Sequence, residues 1–379
     1  MSTVALHASR VLTPEGFQPQ SCALVREGRI GAVMPSTDCP AGLDAHELDG
    51  DLLPGFIDLQ VNGGGGVLFN NDPTVDGIAV IGTAHRRFGT TGFLPTLISD
   101  DLDVVARAIG AVDAAIEQGV PGLLGIHIEG PFLDASRKGI HDASKFRTLD
   151  AEAIGLLASL RRGRTLVTLA PECAPEGSIE SLVDRGVIVA AGHTEATYAD
   201  MQAAFDEGLS GVTHLFNAMS QLGSREPGAV GAALDAREAW CGIIVDGFHI
   251  HPASLRIALT AKGAGRLALV TDAMPPVGSD QTEFVLAGQT IRCEGGRCTS
   301  ADGTLAGSSL TMADAVRNAQ YLMGVDLAAA ALMASAVPAS ILGMAGETGA
   351  IASGMRADLV LLDGDGNVVE TWIGGVASS

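Results

Sequence analysis

Eight short apolar runs along the chain each end in residues suited to chemistry, and three of those ends carry residues that could bind a metal. The run Leu124 to Ile128 ends at Glu129-Gly130-Pro131, the run Val187 to Gly192 at His193, and Gly211-Val212-Thr213 at His214. A fourth, Leu267 to Thr271, ends at Asp272. One carboxylate and two imidazoles can hold a divalent metal with a position left open for water. A further free Asp nearby can then move protons. Together these types point to metal-dependent hydrolysis. Taken singly, each has a plainer reading: Glu129 as a capped or ion-paired carboxylate, either His as a satisfied polar residue, Asp272 as a helix N-cap. Two His on consecutive strands with a Glu on a third favour the metal. Asp272 is followed by Ala-Met-Pro-Pro, so the chain does not simply enter a helix there.

Residues at successive strand ends meet if the strands form a barrel, whose active site lies at the C-terminal ends of its strands. Strand candidates begin near Phe56, Phe93, Leu123, Leu166, Val187, Gly211, Gly242 and Leu267. Helical spacing of apolar residues lies between most of them, as at Asp101 to Gln118, Asp150 to Leu160 and Ala199 to Gly208. The expected fold is α/β, a (β/α)8 TIM-like barrel over residues 54–353. After Asp272 a β excursion is expected around Phe284 to Arg292 and the turn Glu294 to Arg297, before helices resume at Thr311 to Met323 and Leu327 to Ser335. The runs Val4 to Leu12, Ser21 to Arg26 and Arg29 to Met34 read as β. So do Asp358 to Asp363 and Val368 to Ile373, around the turn Gly364 to Asn367. Residues 1–53 and 354–379 are therefore expected to build one small β-sandwich module.

Composition narrows the partners. The chain has 379 residues, which suits a barrel of roughly 250 residues with an added module. Its net charge of −21 repels nucleic acid and anionic membranes, and 4% aromatic residues offer few base-stacking platforms. An anionic substrate would need local cations. The start of the chain shows no basic region followed by an apolar run, so a cytoplasmic location is the expectation. The six Cys contain no C-x-x-C pair and are expected as reduced thiols, Cys293 and Cys298 included, on either side of a hairpin turn.

Several motifs together resemble the N-acetylglucosamine-6-phosphate deacetylase family of the amidohydrolase superfamily. They are Pro54-Gly-Phe-Ile-Asp58, His127-Ile-Glu-Gly-Pro-Phe132, Gly192-His-Thr194, Thr213-His-Leu-Phe-Asn-Ala-Met219, Asp246-Gly-Phe-His249 and Val270-Thr-Asp-Ala-Met274. The first marks only the superfamily; the second and fourth are far more specific. The resemblance implies that Glu129, His193 and His214 are metal ligands, that Asp272 is the catalytic acid/base, and that His141 meets the substrate near its acetamide. It implies phosphate contacts from Asn217, Ala218, Arg225 and His249, the last two crossing the interface of a homodimer. By themselves Arg225 reads as a loop charge and His249 as a turn residue. Many superfamily members carry His-x-His where this chain has Gln60 and Asn62. Neutral amides are weaker ligands for zinc or iron than imidazoles, so one divalent ion per chain is expected, zinc first, with Fe, Co or Mn able to substitute. The implied reaction is hydrolysis of N-acetyl-D-glucosamine 6-phosphate. The rivals are its galactosamine epimer, a cyclic amide as in dihydroorotase-like enzymes, and a non-catalytic scaffold on the same barrel.

Asp272→Asn keeps the side chain's shape but cannot take a proton from water. Turnover is expected to fall by at least roughly 10²-fold with substrate binding largely kept. Steady-state rates and a binding isotherm on the same variant check this, and near-normal turnover would remove Asp272 from the role.

Overall fold

The structure is a computed structural model and describes residues 3–378. Strands buried on both faces need apolar residues at nearly every position, and the apolar runs form such strands. Eight of them pair side by side in parallel: Phe56–Val61, Thr90–Ile98, Gly125–Glu129, Arg164–Leu169, Ile188–Ala191, Gly211–Val212, Trp240–Ile243 and Leu267–Leu269. The first and last approach through a parallel bridge between Val61 and Ala273, and Asp272 N–H donates to Gln60 O at 3.0 Å. The result is a nearly closed (β/α)8 barrel, as the sequence pattern predicts.

Helices between the strands start where side-chain oxygens satisfy free N–H groups. Thr74 caps Val75–Arg86 and Asp150 caps Ala151–Leu157. Thr197 and Asp200 form a reciprocal capping box on Tyr198–Asp206. Leu102–Glu117 buries Val105, Ala108, Ile109 and Val112, one stripe at helical spacing. The helical pattern at Thr311 to Met323 begins as Met312–Asn318 but finishes as a π turn over Ala319–Met323. Among the described residues no helix is long and apolar enough to cross a membrane.

Both ends of the chain contribute to one seven-stranded sheet. Its order is Val376–Ala377, Val368–Ile373, Leu359–Leu362, Asp44–Pro54, Val4–Thr13, Gly16–Arg26, Arg29–Pro35. Asp44–Pro54 is the central strand. Its charged first half hides it from an apolar-pattern search, yet it joins the two chain ends and leads directly into the first barrel strand. The β excursion is a four-stranded antiparallel sheet of Glu283–Leu286, Gln289–Glu294, Arg297–Thr299 and Leu305–Ser308. Cys293 and Cys298 stand directly opposite across its turn and are joined as a disulfide. The expectation of six reduced thiols is thus corrected at this pair, because strand register brings the two sulfurs together. Cys22, Cys39, Cys173 and Cys241 are free.

His85 is one of several buried histidines that make the fold acid-sensitive. His85 lies within Val75–Arg86, is fully buried, and its Nε2 donates to Gly63 O at 2.9 Å. The ring fills the space beside Gly64, where any Cβ would stand 2.8 Å from it. Burial lowers its pKa from 6.5 to about 4. The unfolded chain therefore takes up this proton first. Stability is complete above the unfolded value and is lost as pH falls from about 6.5 toward 4, at up to about 1.4 kcal/mol per pH unit. His85→Gln should reduce that slope by up to about 1.4 kcal/mol per pH unit in denaturant melts across this window, whatever its effect on stability at neutral pH; an unchanged slope would assign the acid sensitivity to other groups.

Candidate metal and catalytic site

The C-terminal strand ends surround a cavity of about 340 Å3. Glu129, His141, His193, His214, Asn217, Ala218, His249 and Asp272 all line it. The backbone turns sharply as it leaves the strands. His193, His214 and Asp272 have φ of 49°, 32° and 53°, and Phe216 and Ala218 have φ of 77° and 48°. This left-handed region is uncommon for residues with a Cβ, and such strain gathers at functional sites.

Glu129 is the last residue of its strand and alternates with His127, so both point into the barrel. His214 Nε2 lies 2.9 Å from Glu129 Oε1, His193 Nε2 lies 3.3 Å from the same oxygen, and the two imidazole nitrogens are 3.2 Å apart. All three residues are buried. His193 Nδ1 donates to Arg137 O at 2.8 Å, which leaves the Nε2 lone pair directed inward. Burial acts to raise the Glu129 pKa, but its interaction with the facing His193 and His214 outweighs it and holds the carboxyl well below its ordinary range. Donors around a tetrahedral ion with bonds of about 2.0–2.1 Å stand roughly 3.3 Å apart. One carboxylate oxygen and two imidazole nitrogens at these separations, buried and already anionic, fit a divalent cation.

Asp272 is half-buried at the end of the last barrel strand. Loss of water around it, then the charge of Glu129, pushes its pKa up to about 6. Gln60 and Asn62, on the first strand, do not take the place of imidazole ligands. Asn62 Nδ2 donates to Asp272 Oδ1 at 2.5 Å, and Gln60 Nε2 lies 3.2 Å from Asp272 Oδ1 and from both Glu129 oxygens. Both amides aim their N–H groups at carboxylates. Their carbonyl oxygens are buried without a hydrogen-bond partner among the described residues. Reading these residues only as missing ligands overlooks this use, because their partners lie 69 to 212 positions away in sequence.

His141 is reached by the loop after Glu129. Its Nδ1 accepts from Ser99 N–H at 3.3 Å and lies 2.7 Å from Ser99 Oγ. Burial first, then the charge of His193, keeps the ring neutral by lowering its pKa well below the ordinary value. A neutral ring that accepts at Nδ1 carries its proton on Nε2 and is a donor there. His249 lines the cavity from within the same chain, with Nδ1 2.6 Å from Asp246 Oδ2. Arg225 is exposed on the loop before Gly228–Asp235 and is not part of this chain's cavity lining. Arg137 does line the cavity and was not singled out from sequence; it is ion-paired with Glu195.

Fold and site together define a class. Residues 52–377 match the amidohydrolase family, and the chain belongs to that family. Its relatives narrow the branch to the amino-sugar 6-phosphate deacetylases. The chain is 45% identical to N-acetylgalactosamine-6-phosphate deacetylase of Shewanella sp. (strain ANA-3), over 97% of this chain and 94% of that one. It is 35% identical to N-acetylglucosamine-6-phosphate deacetylase of Haemophilus influenzae, over 91% of each. The crystal structure of N-acetylglucosamine-6-phosphate deacetylase from Pasteurella multocida superimposes with a TM-score of 0.96 at 34% identity, covering 100% of both chains. A point mutant of the Mycobacterium smegmatis enzyme, in complex with N-acetyl-D-glucosamine-6-phosphate, gives a TM-score of 0.91 at 33% identity, covering 100% of this chain and 99% of that one.

The donor geometry yields a metal-content test. His193→Ala should lose one equivalent of divalent metal relative to the unaltered chain, whereas Gln60→Ala should lose none. Elemental analysis of protein purified without chelator checks both. Activity should return to apo-protein in step with a single equivalent. Two pocket ions, both required for turnover, would overturn this assignment of Gln60.

Proposed function

We propose that the chain hydrolyses N-acetyl-D-glucosamine 6-phosphate to D-glucosamine 6-phosphate and acetate. The observation that carries the reading is the placement of Asp272, held by Asn62 and Gln60, beside the buried Glu129, His193 and His214 group. A divalent ion held by these three residues, zinc by preference, supplies Lewis acidity toward water and the acetamide carbonyl. Asp272 accepts the proton of the attacking water. Asn62 and Gln60 occupy its Oδ1, which leaves Oδ2 to carry that proton. A carboxyl with a pKa near 6 takes a proton and also gives it back. Asp272 delivers it to the leaving nitrogen, which is too basic to depart as an anion. His141, neutral and donating through Nε2, stabilises the carbonyl oxygen as negative charge builds there.

The sugar is positioned by its phosphate. His249 and the Asn217-Ala218 turn lie at the same cavity and are assigned to holding the sugar and its phosphate. Arg225, exposed on one chain, is assigned to the phosphate of a neighbouring subunit in a homodimer. The Arg225 cation answers the net charge of −21, which otherwise repels the substrate. A charged sugar phosphate does not cross a bilayer unaided, so this substrate goes with a cytoplasmic enzyme. A second reading has its own support: the Shewanella relative at 45% identity is named for the galactosamine epimer. The chemistry at the amide is the same for both.

Acetate release from a panel of N-acetylhexosamines, with and without the 6-phosphate, tests the proposal. Fastest turnover is expected on N-acetylglucosamine 6-phosphate; faster turnover of the galactosamine 6-phosphate would move the assignment to that epimer. No preference for the phosphate would overturn both. Arg225→Ala should cost roughly 10–100-fold on phosphorylated sugar, equivalent to about 1.5–3 kcal/mol, and little on free sugar. An equal loss on both would remove Arg225 from phosphate recognition.

A further inference from the structure

A second group of metal-ligand types lies away from the cavity, in the sheet built from the chain ends. His7 and Cys22 stand directly opposite on the antiparallel strands Val4–Thr13 and Gly16–Arg26. Cys39 follows the short turn Ser36–Asp38, where the chain leaves Arg29–Pro35 before returning as Asp44–Pro54. One ligand atom from each of the three lies within 4.8 Å of the others. Cys22 is buried, while His7 and Cys39 are half-buried. His7 Nδ1 is 3.0 Å from Ser36 Oγ, so the ring is held by the same turn that carries Cys39.

We propose that His7, Cys22 and Cys39 form a second metal site, taking a thiophilic divalent ion such as zinc. Two sulfurs and one imidazole suit zinc far better than magnesium or calcium, which prefer oxygen. Three protein donors with two half-buried members leave a coordination position open to solvent. The donors come from three separate segments, so an ion there ties the Ser36–Asp38 turn to the first two strands. That turn begins the connection into Asp44–Pro54, the strand that feeds the barrel. The role is therefore structural, remote from the amide chemistry and independent of its assignment. Without an ion, burial and then hydrogen bonding with Cys39 push the Cys22 thiol up to about 11. Binding must displace thiol protons, as at other thiolate sites.

A competing group, Asp134, Glu172 and Cys173, offers one thiol and two carboxylates at a half-exposed position. It carries less, because a cluster dominated by acids forms readily without an ion. It also supplies the control.

The test uses the full chain stripped of metal and then titrated with Co2+ alone past the equivalent taken by the cavity group. The cavity donors contain no sulfur, so a thiolate-to-cobalt charge-transfer band reports cysteine ligation. The expected result is one further equivalent bound with that band and a raised melting temperature, since binding only the folded state stabilises it. Cys39→Ser should abolish the band and the metal-dependent shift in melting temperature while acetate release stays unchanged. Cys39 is half-buried, so this variant perturbs packing less than one at fully buried Cys22; His7→Gln should weaken binding in the same assay. Three results would overturn the site: no band, a band that survives Cys39→Ser but is lost in Cys173→Ser, or a Cys22–Cys39 disulfide found by peptide mapping of untreated protein.

Discussion

Everything at the cavity depends on how the first and last barrel strands are joined. Asp58, fully buried on the first strand, accepts from Thr271 N–H at 3.2 Å and from Thr271 Oγ at 2.5 Å. It also accepts from Gln60 N–H at 3.2 Å. One side chain thus fixes the strand that carries Gln60 and Asn62 against the strand that ends in Asp272. Burial pushes the Asp58 pKa up to about 7, against the pull of those three donors. A buried carboxyl in that position is costly unless its oxygens are fully used, and here the donors that use them are the seam itself. The placement of Asp272 next to Glu129 follows from this seam.

Below the cavity the barrel interior is not wholly apolar. His127 Nδ1 lies 3.1 Å from Thr96 Oγ1 and its Nε2 lies 2.8 Å from Thr168 Oγ1, which in turn lies 2.6 Å from Thr213 Oγ1. These contacts link three neighbouring barrel strands to the end of a fourth, Gly211–Val212, which lies beyond Ile188–Ala191, directly beneath the site. Burial keeps His127 neutral by lowering its pKa to about 4. Fully satisfied buried polar groups rigidify what they connect. Glu129 and His214 therefore stand on a hydrogen-bonded floor, and the left-handed turns at His193, His214 and Asp272 are held from below by the strands and from above by loop contacts such as Arg137 O.

Charge is arranged on two scales. The chain as a whole is strongly acidic, yet the cavity gathers His141, His193, His214, His249 and Arg137 around two carboxylates. Asn62 and Gln60 add neutral N–H donors that steady those carboxylates without adding charge. The four-stranded excursion supplies Thr304, Leu305 and Gly307 to the same wall, so the disulfide hairpin belongs to the cavity's frame.

The linear order of residues determined the barrel and the chemical types at its rim. Apolar runs of strand length ending in Glu129, His193, His214 and Asp272 are local patterns, and local patterns survive in one dimension. The same holds for the capped helices and for the hairpin of the C-terminal strands. Only the tertiary structure decided how those types are used. Gln60 and Asn62 look like lost ligands until strand closure turns their N–H groups onto Asp272 and Glu129. Asp58 looks like part of a motif until Thr271 is seen to bind it. Cys293 and Cys298 become a disulfide through strand register, and His7, Cys22 and Cys39 become neighbours without any cysteine motif in sequence. Hydrogen bonds and ligand sets are set by distances of a few ångströms between segments far apart along the chain, and those distances do not exist until the barrel closes.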